Sequence, residues 1–383
     1  MTNSQLLWLR KNLFSTWYNS LLTVVCLVFL LWIARGILIW ATTQAQWAVI
    51  QVNLRLFLVG RFPQSLYWRV WIVLAIASTL AAVTWGVFSS KQRLTKLGLT
   101  LYILIFATLL VILPLDFTSC LWLLLVGVLL AIGFWIGRRF TKVIYPWISL
   151  VWLLSFPIIL WLIGGGLGLQ SVSTNLWNGL LLTLLMAAVS IVLSFPIGVL
   201  LALGRTSNLP LIRWFCILYI EIIRGLPLIG ILFLAQVMLP LFLPVDIRLD
   251  RVVRAIIGLV LFSAAYMAEN VRGGLQAISR GQIEAAKALG FNSLFVVILI
   301  VLPQALRAVI PAIVGQFIGL FKDTSLLSLV GLVELTGIAR SILAQPQFIG
   351  RYAEVYLFIG LIYWVFCYSM SLASRRLERQ LSR

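Results

Sequence analysis

Histidine is absent from this 383-residue chain, and acids are scarce, with ten Asp and Glu against 29 Lys and Arg. The first absence removes the commonest general base and metal ligand. The four cysteines, Cys26, Cys120, Cys216 and Cys367, stand singly inside apolar runs with no CxxC pair. A zinc or haem site therefore has no ligand set, and these thiols read as small apolar side chains. No GxxxxGK[ST] phosphate loop occurs anywhere, so the chain carries no P-loop cradle for a nucleotide. With neither an activated nucleophile nor a metal cluster, a membrane enzyme lacks its machinery.

Charged residues of all kinds make up 10% of the chain, whereas 62% is apolar. So little charge cannot cover a soluble core of this size, and the composition is that of an integral membrane protein. The formal net charge of +19 sits mostly in short stretches between apolar runs. Charge placed this way orients loops against an anionic cytoplasmic face and does not point to nucleic acid. Trp68 and Trp71, and Tyr145 and Trp147, fall near the ends of apolar runs, as an interfacial aromatic belt requires.

A bilayer core takes about 20 apolar residues per helix. Runs of that kind predict ten spans, near 20–40, 69–88, 97–113, 118–137, 146–164, 177–203, 211–238, 251–275, 296–318 and 354–373. Arg10 and Lys11 precede the first run in the manner of a signal peptide, but the pattern continues through Arg35 to Trp40, so an uncleaved first helix is expected. With the N-terminus cytoplasmic, 17 Lys and Arg fall on the inside and nine on the outside. Both termini are then cytoplasmic, and so is the polar stretch GQIEAAKALG, residues 281–290.

Composition shifts at "GGGLG" (164–168) and "QSVSTN" (170–175). The chain is accordingly divided into an N-terminal membrane extension of about five spans, 1–170, and a functional unit, 171–383. The two sets of five spans show no internal repeat.

Within 281–290, the helix formers EAAKAL end at Gly290. Glu284 and Lys287 lie three residues apart on one face, and Ala285, Ala286 and Ala288 offer a smooth surface to another protein. Farther along the spans, Glu221 and Arg224, and Glu269 and Arg272, stand at i, i+3 and are expected to neutralise each other in pairs. Gly225 and Pro227 interrupt their span, freeing backbone groups that can line a polar cavity, and Arg224 beside them suits a carboxylate. The segment LFKDTSLLSLVGLVELTG (320–337) breaks its apolar pattern at Lys322, Asp323, Thr324, Ser325 and Ser328, then at Glu334 and Thr336, which predicts either a polar external loop or short helices dipping back into protein. Asp323 before Thr324 and Ser325 also reads as a helix start.

The spacing from Glu284-Ala-Ala through Gly290 to Ile300 and Leu302-Pro303 resembles the cytoplasmic signature of ATP-binding cassette importer permeases. NGLLLTLLMAAVSIVLSFPIGVLLALGRTS (178–207), EIIRGLPLIG (221–230), AAYMAENVRGGLQAISRGQIEAAKALGF (264–291), the stretch 301–337 with LPQALR and KDTSL, and Glu378 are similar to the polar amino acid branch of that family, the histidine, glutamine and general amino acid permeases. Leu226 stands where that branch usually has Thr, which removes a hydroxyl beside Pro227. The extra N-terminal spans resemble those of extended permeases for general or neutral L-amino acids.

The resemblance implies an all-α polytopic membrane protein with a type I importer permease core, in a bacterial inner membrane. It implies a permease subunit that moves polar or general L-amino acids by alternating access and is not itself an enzyme. ATP and magnesium would be bound by two partner ATPase subunits, alongside a second, homologous permease and an extracytoplasmic amino acid-binding protein. Gly281, Glu284, Ala285, Ala286 and Gly290 would form the coupling helix. Glu221, Arg224, Gly225, Pro227, Glu269, Lys322, Asp323, Thr324 and Ser325 would lie along the pathway. A channel or an ATP-independent secondary amino acid carrier is the alternative; a channel would not need the EAA segment, and a carrier would be distinguished by a coupling-ion site.

Overall fold

The computed structural model describes residues 11–88, 116–244 and 246–381, and they are organised as helices. The only β-type pairings among them are two isolated backbone bridges, Gly166–Leu169 and Gly179–Glu334. In chain order the main helices are α1 (Trp17–Ile39), α2 (Ala48–Val59), α3 (Tyr67–Phe88), α4 (Phe117–Arg139), α5 (Ile148–Gly164), α6 (Gly179–Arg205), α7 (Pro210–Gly225), α8 (Leu228–Phe233), α9 (Arg251–Ala277), α10 (Arg280–Ala288), α11 (Leu302–Asp323), α12 (Leu335–Leu343) and α13 (Tyr352–Leu381).

Among the described residues, seven helical stretches are long and apolar enough to cross a membrane, and α7 with the stretch Leu228–Phe242 forms a pair bent by 105° that makes an eighth when counted as one span. The expected span at 146–164 is the 17-residue α5, and the one at 97–113 lies outside the described residues. Long apolar runs thus become helices because a helix satisfies its own backbone hydrogen bonds away from water. Their ends carry local signals. Asp250 caps α9 by accepting from the Val252 amide at 2.8 Å, and Pro210 opens α7, where a missing amide costs nothing.

Among the described residues the spans pack around several buried clusters. α6 and α9 lie side by side, with Leu182, Met186 and Leu259 buried together with Leu320 of α11. In the N-terminal section α3 packs on α4 at backbone distance: a Cβ added to Gly137 would stand 2.2 Å from the Val83 carbonyl oxygen, and one added to Gly86 would stand 2.4 Å from that of Phe134. Small residues at a helix crossing allow this approach, which in lipid is the main source of helix adhesion. Trp71 also packs inward at this pair, stacked on Trp122 with ring centroids 6.2 Å apart.

The short helix α2 connects the two sections. It buries Val49, Asn53 and Phe57, one residue per turn, against Leu335, Ile338, Ala339 and Ile342 of α12 and Val355 and Ile359 of α13. Phe57 meets Phe358 edge to face at 5.0 Å. Ahead of α2, the Gln46 amide donates to the buried Glu354 carboxylate at 3.0 Å.

Candidate coupling and translocation site

The EAA stretch folds as α10, between the end of α9 and a π-helical turn, Val296–Val301, that leads into α11. Its termination follows from glycine. The Phe291 amide reaches back to the Ala286 carbonyl at 3.2 Å and the Gly290 amide to that of Lys287 at 2.9 Å, with Gly290 at φ 87°. This is the Schellman arrangement, whose left-handed position penalises any residue with a Cβ.

Gly281, Glu284, Ala285, Lys287, Ala288 and Gly290 are exposed. Ala286 departs from the expected partner-facing set. It is 2% exposed and packs with Val296 and Val301, so it faces the π turn. The exposed face also carries Leu289, 79% exposed, which helix-forming composition alone did not single out.

The expected neutralisation of Glu221 by Arg224 is not what forms. Glu221 pairs with Arg205, the last residue of α6, at 2.9 Å, and Arg224 turns toward Glu269 at 3.6 Å and the ring of Tyr266. Glu269 does hold Arg272, three residues on, through hydrogen bonds from Nε and Nη2. It also takes Arg205 at 2.9 Å. One carboxylate of α9 thereby meets arginines from α6, α7 and α9, with 14% of its side chain exposed against 55% for Glu221. Helix-surface spacing had pointed to partners within each helix, and the packing of α6 and α7 on α9 supplied closer ones across helices.

Immediately after Arg224 the span breaks. Leu226 is extended (φ −101°, ψ 142°), as the residue before a proline prefers, and Pro227 stands at the N-cap position of α8. Gly225, Leu226 and Pro227 are all exposed on the chain's surface at this bend.

Segment 320–337 is neither one helix nor an open loop. α11 continues to Asp323, a tighter 3₁₀ stretch covers Thr324–Val330, and after Gly331 the chain enters α12. Asp323 is therefore the last residue of a helix, and its side chain makes no cap; the helix start signal belongs to Glu334 instead. Thr324 is buried and donates to the Phe321 carbonyl at 2.6 Å, Ser325 is half-buried and Lys322 exposed.

Glu334 is fully buried at the start of α12. It accepts from the amides of Thr336 (2.8 Å) and Gly337 (3.0 Å) and from the Tyr363 hydroxyl (3.2 Å), while its backbone bridges to Gly179 at the first residue of α6. Thr183 of α6 accepts from the next amide, Leu335, at 3.1 Å. Glu334 lies in the stretch joining two spans, and burial pushes its carboxyl up to about 7 against the opposing pull of those donors. Glutamate is an uncommon cap, so composition gave little sign of this role. Among the described residues no group of His, Cys, Asp and Glu is placed to hold a metal ion.

Residues 194–383 match the family described as binding-protein-dependent transport system inner membrane component. The chain is 37% identical to the inner membrane amino-acid ABC transporter permease protein YhdY of Escherichia coli (strain K12), over 98% of this chain and 92% of that protein. It is 36% identical to the glutamate/glutamine/aspartate/asparagine transport system permease protein BztC of Rhodobacter capsulatus, over 98% and 93% respectively. A third relative, the probable glutamine ABC transporter permease protein GlnP of Bacillus subtilis, is 40% identical over 53% of this chain and 92% of its own length.

Proposed function

Because the chain belongs to the family of inner membrane permease subunits of binding-protein-dependent ABC transporters, we propose that it forms the translocation path of an ATP-driven importer of polar or general L-amino acids. It is a multi-pass inner membrane protein, and ATP hydrolysis belongs to other subunits of the complex. We assign it two ATPase subunits that bind ATP and magnesium, a second homologous permease and an extracytoplasmic amino acid-binding protein. Both termini lie in the cytoplasm in this reading. Residues 1–170 form an extension to the permease core of 171–383.

One observation carries the assignment: α10 is a capped, exposed helix seated by Ala286 on the root of a membrane span. Gly281, Glu284, Ala285 and Leu289 face outward from it, where Glu284 offers a charge-assisted hydrogen bond to an ATPase groove. Motion of such a partner is delivered to the spans through the buried Ala286 side. On the pathway side we place Glu221, Arg224, Gly225 and Pro227 at the bend, Glu269 beside them, and Lys322, Asp323, Thr324 and Ser325 at the α11 end. Unwound backbone at a broken span suits the ammonium and carboxylate of an amino acid.

Purification of the chain from its own membranes in mild detergent, followed by mass spectrometry, tests the reading. Co-purification of an ATPase and a second permease, with hydrolysis stimulated by the binding protein and L-glutamine or L-glutamate, is the expected result. A chain that comes out alone and supports flux in liposomes without ATP would return the channel or secondary carrier.

A further inference from the structure

We propose that Glu269 is a positioning residue of the transport cycle: it joins the α9–α10 unit to the end of α6 and to the bend of the broken span, so that movement of α10 reaches both. The inference rests on the reading of α10 as the coupling helix and adds the route by which its motion enters the membrane.

Three features of the packing support it. First, α10 follows α9 after only Ile278 and Ser279, and Ile278, Ile283 and Leu275 pack around the buried Ala286, Val296 and Val301. α9 is also locked to α11 nearby, where a Cβ on Gly274 would stand 2.6 Å from the Ala305 carbonyl oxygen. A close-packed junction of this kind moves as a body and does not absorb displacement. Second, Glu269 lies eight residues before the end of α9, roughly 12 Å along the helix at 1.5 Å per residue. It is the point where α9 is tied by charge to its neighbours, through Arg205 of α6 at 2.9 Å and Arg224 of α7 at 3.6 Å.

Third, each partner stands at a place where the chain can change direction. Arg205 is the last residue of α6, and Glu221, which shares Arg205 at 2.9 Å, ties α7 to the same point. Arg224 is followed directly by Gly225, Leu226 and Pro227, the break at which the span bends by 105°. The 3.6 Å Arg224 contact is the longest of the set, and its guanidinium also rests 5.5 Å from the Tyr266 ring centroid. Loss of the Arg224 contact would still leave Glu269 paired with Arg205 and Arg272. A carboxylate held by three arginines, one of them at a longer distance and shared with a ring, is the kind of contact a switching transition repacks.

The test uses the whole transporter, this chain with its ATPase, second permease and binding protein, reconstituted in proteoliposomes and supplied with radiolabelled L-glutamine and L-glutamate. Uptake and ATP hydrolysis are measured together for wild type, Glu269→Gln, Glu269→Asp and Arg205→Gln. For Glu269→Gln and Arg205→Gln, the amino acid carried per ATP should fall about tenfold or more while assembled complex and hydrolysis persist, and Glu269→Asp should recover part of the ratio. An unchanged ratio in Glu269→Gln and Arg205→Gln overturns the proposal. So does a fall of uptake and hydrolysis in strict proportion to lost complex, which would make the cluster a static staple. A wild-type complex without ATP-driven uptake would instead sink the importer reading on which the inference stands.

Discussion

Gly290 and Glu284 act on one short helix, Gly290 just past its C-terminal end and Glu284 at its middle. Gly290 holds a backbone conformation that costs an L-residue about 1–2 kcal/mol, so Gly290→Val should unravel the end of α10 and reorient the chain entering α11. Glu284→Ala removes an exposed charge and leaves the helix intact. Both variants should insert in the membrane at wild-type levels and lose ATP-driven uptake, Gly290→Val the more completely; normal uptake in both would remove α10 from coupling. Glu334 makes a different kind of claim. Its carboxyl is raised from an ordinary value near 4.5 to about 7 by burial, so the folded protein holds the proton more tightly than the unfolded chain. That contribution is complete below about pH 4.5 and is lost as pH rises through 7. Thermal unfolding in detergent should therefore show stability declining between pH 5 and 8, and Glu334→Gln should flatten that decline. A slope unaltered by the substitution would assign the effect to other groups.

Among the elements, α2 departs most from a division of the chain at residue 170. It belongs to the N-terminal stretch by position, yet its buried stripe is completed by α12 and α13. Such a stripe has only three inward residues, Val49, Asn53 and Phe57, too few for hydropathy to mark what it packs on. Removing the fully buried Phe57 ring should cost about 3–5 kcal/mol, the usual range for Phe→Ala in a packed core. Denaturant titration in detergent would register that loss, and a change below about 1 kcal/mol would mean that α2 is only loosely attached. The link also gives α12 a second anchor besides Glu334, so the Phe57→Ala protein should lose protection from hydrogen exchange at α12 before it does so in α6 or α9. The break between α7 and α8, by contrast, was legible in the sequence. Gly225 and Pro227 announce it locally, because proline dictates the conformation of its predecessor and lacks an amide.

For the molecule as a whole, orientation is the property most open to direct measurement. The excess of Lys and Arg on one side predicts that Ser279, next to α10, faces the cytoplasm and that Arg61, after α2, faces outward. With the native cysteines removed, a membrane-impermeant maleimide applied to spheroplasts should label Arg61→Cys at once and Ser279→Cys only after permeabilisation. The reverse pattern would invert the topology and place α10 beyond reach of a cytoplasmic ATPase. The same molecule-wide view separates this chain from the shorter GlnP relative, whose match covers 53% of this chain. In this chain α2 is built into the packing of α12 and α13.

Class, the placement of the described spans and the position of α10 were readable along the chain. They depend on composition, on runs of about 20 apolar residues and on motif spacing, which are local properties that a bilayer converts directly into helices. What three-dimensional packing alone decided is which groups meet. Arg205, Glu221, Arg224 and Glu269 come from three helices, and i, i+3 spacing could propose only partners on the same helix. Ala286 turned inward onto Val296 and Val301, Asp323 ended an α-helix and preceded a 3₁₀ stretch without capping it, and Glu334 took the cap of α12. Ion pairs and burial are set by distances between segments far apart in the chain, and those distances exist only once α6, α7 and α9 have packed.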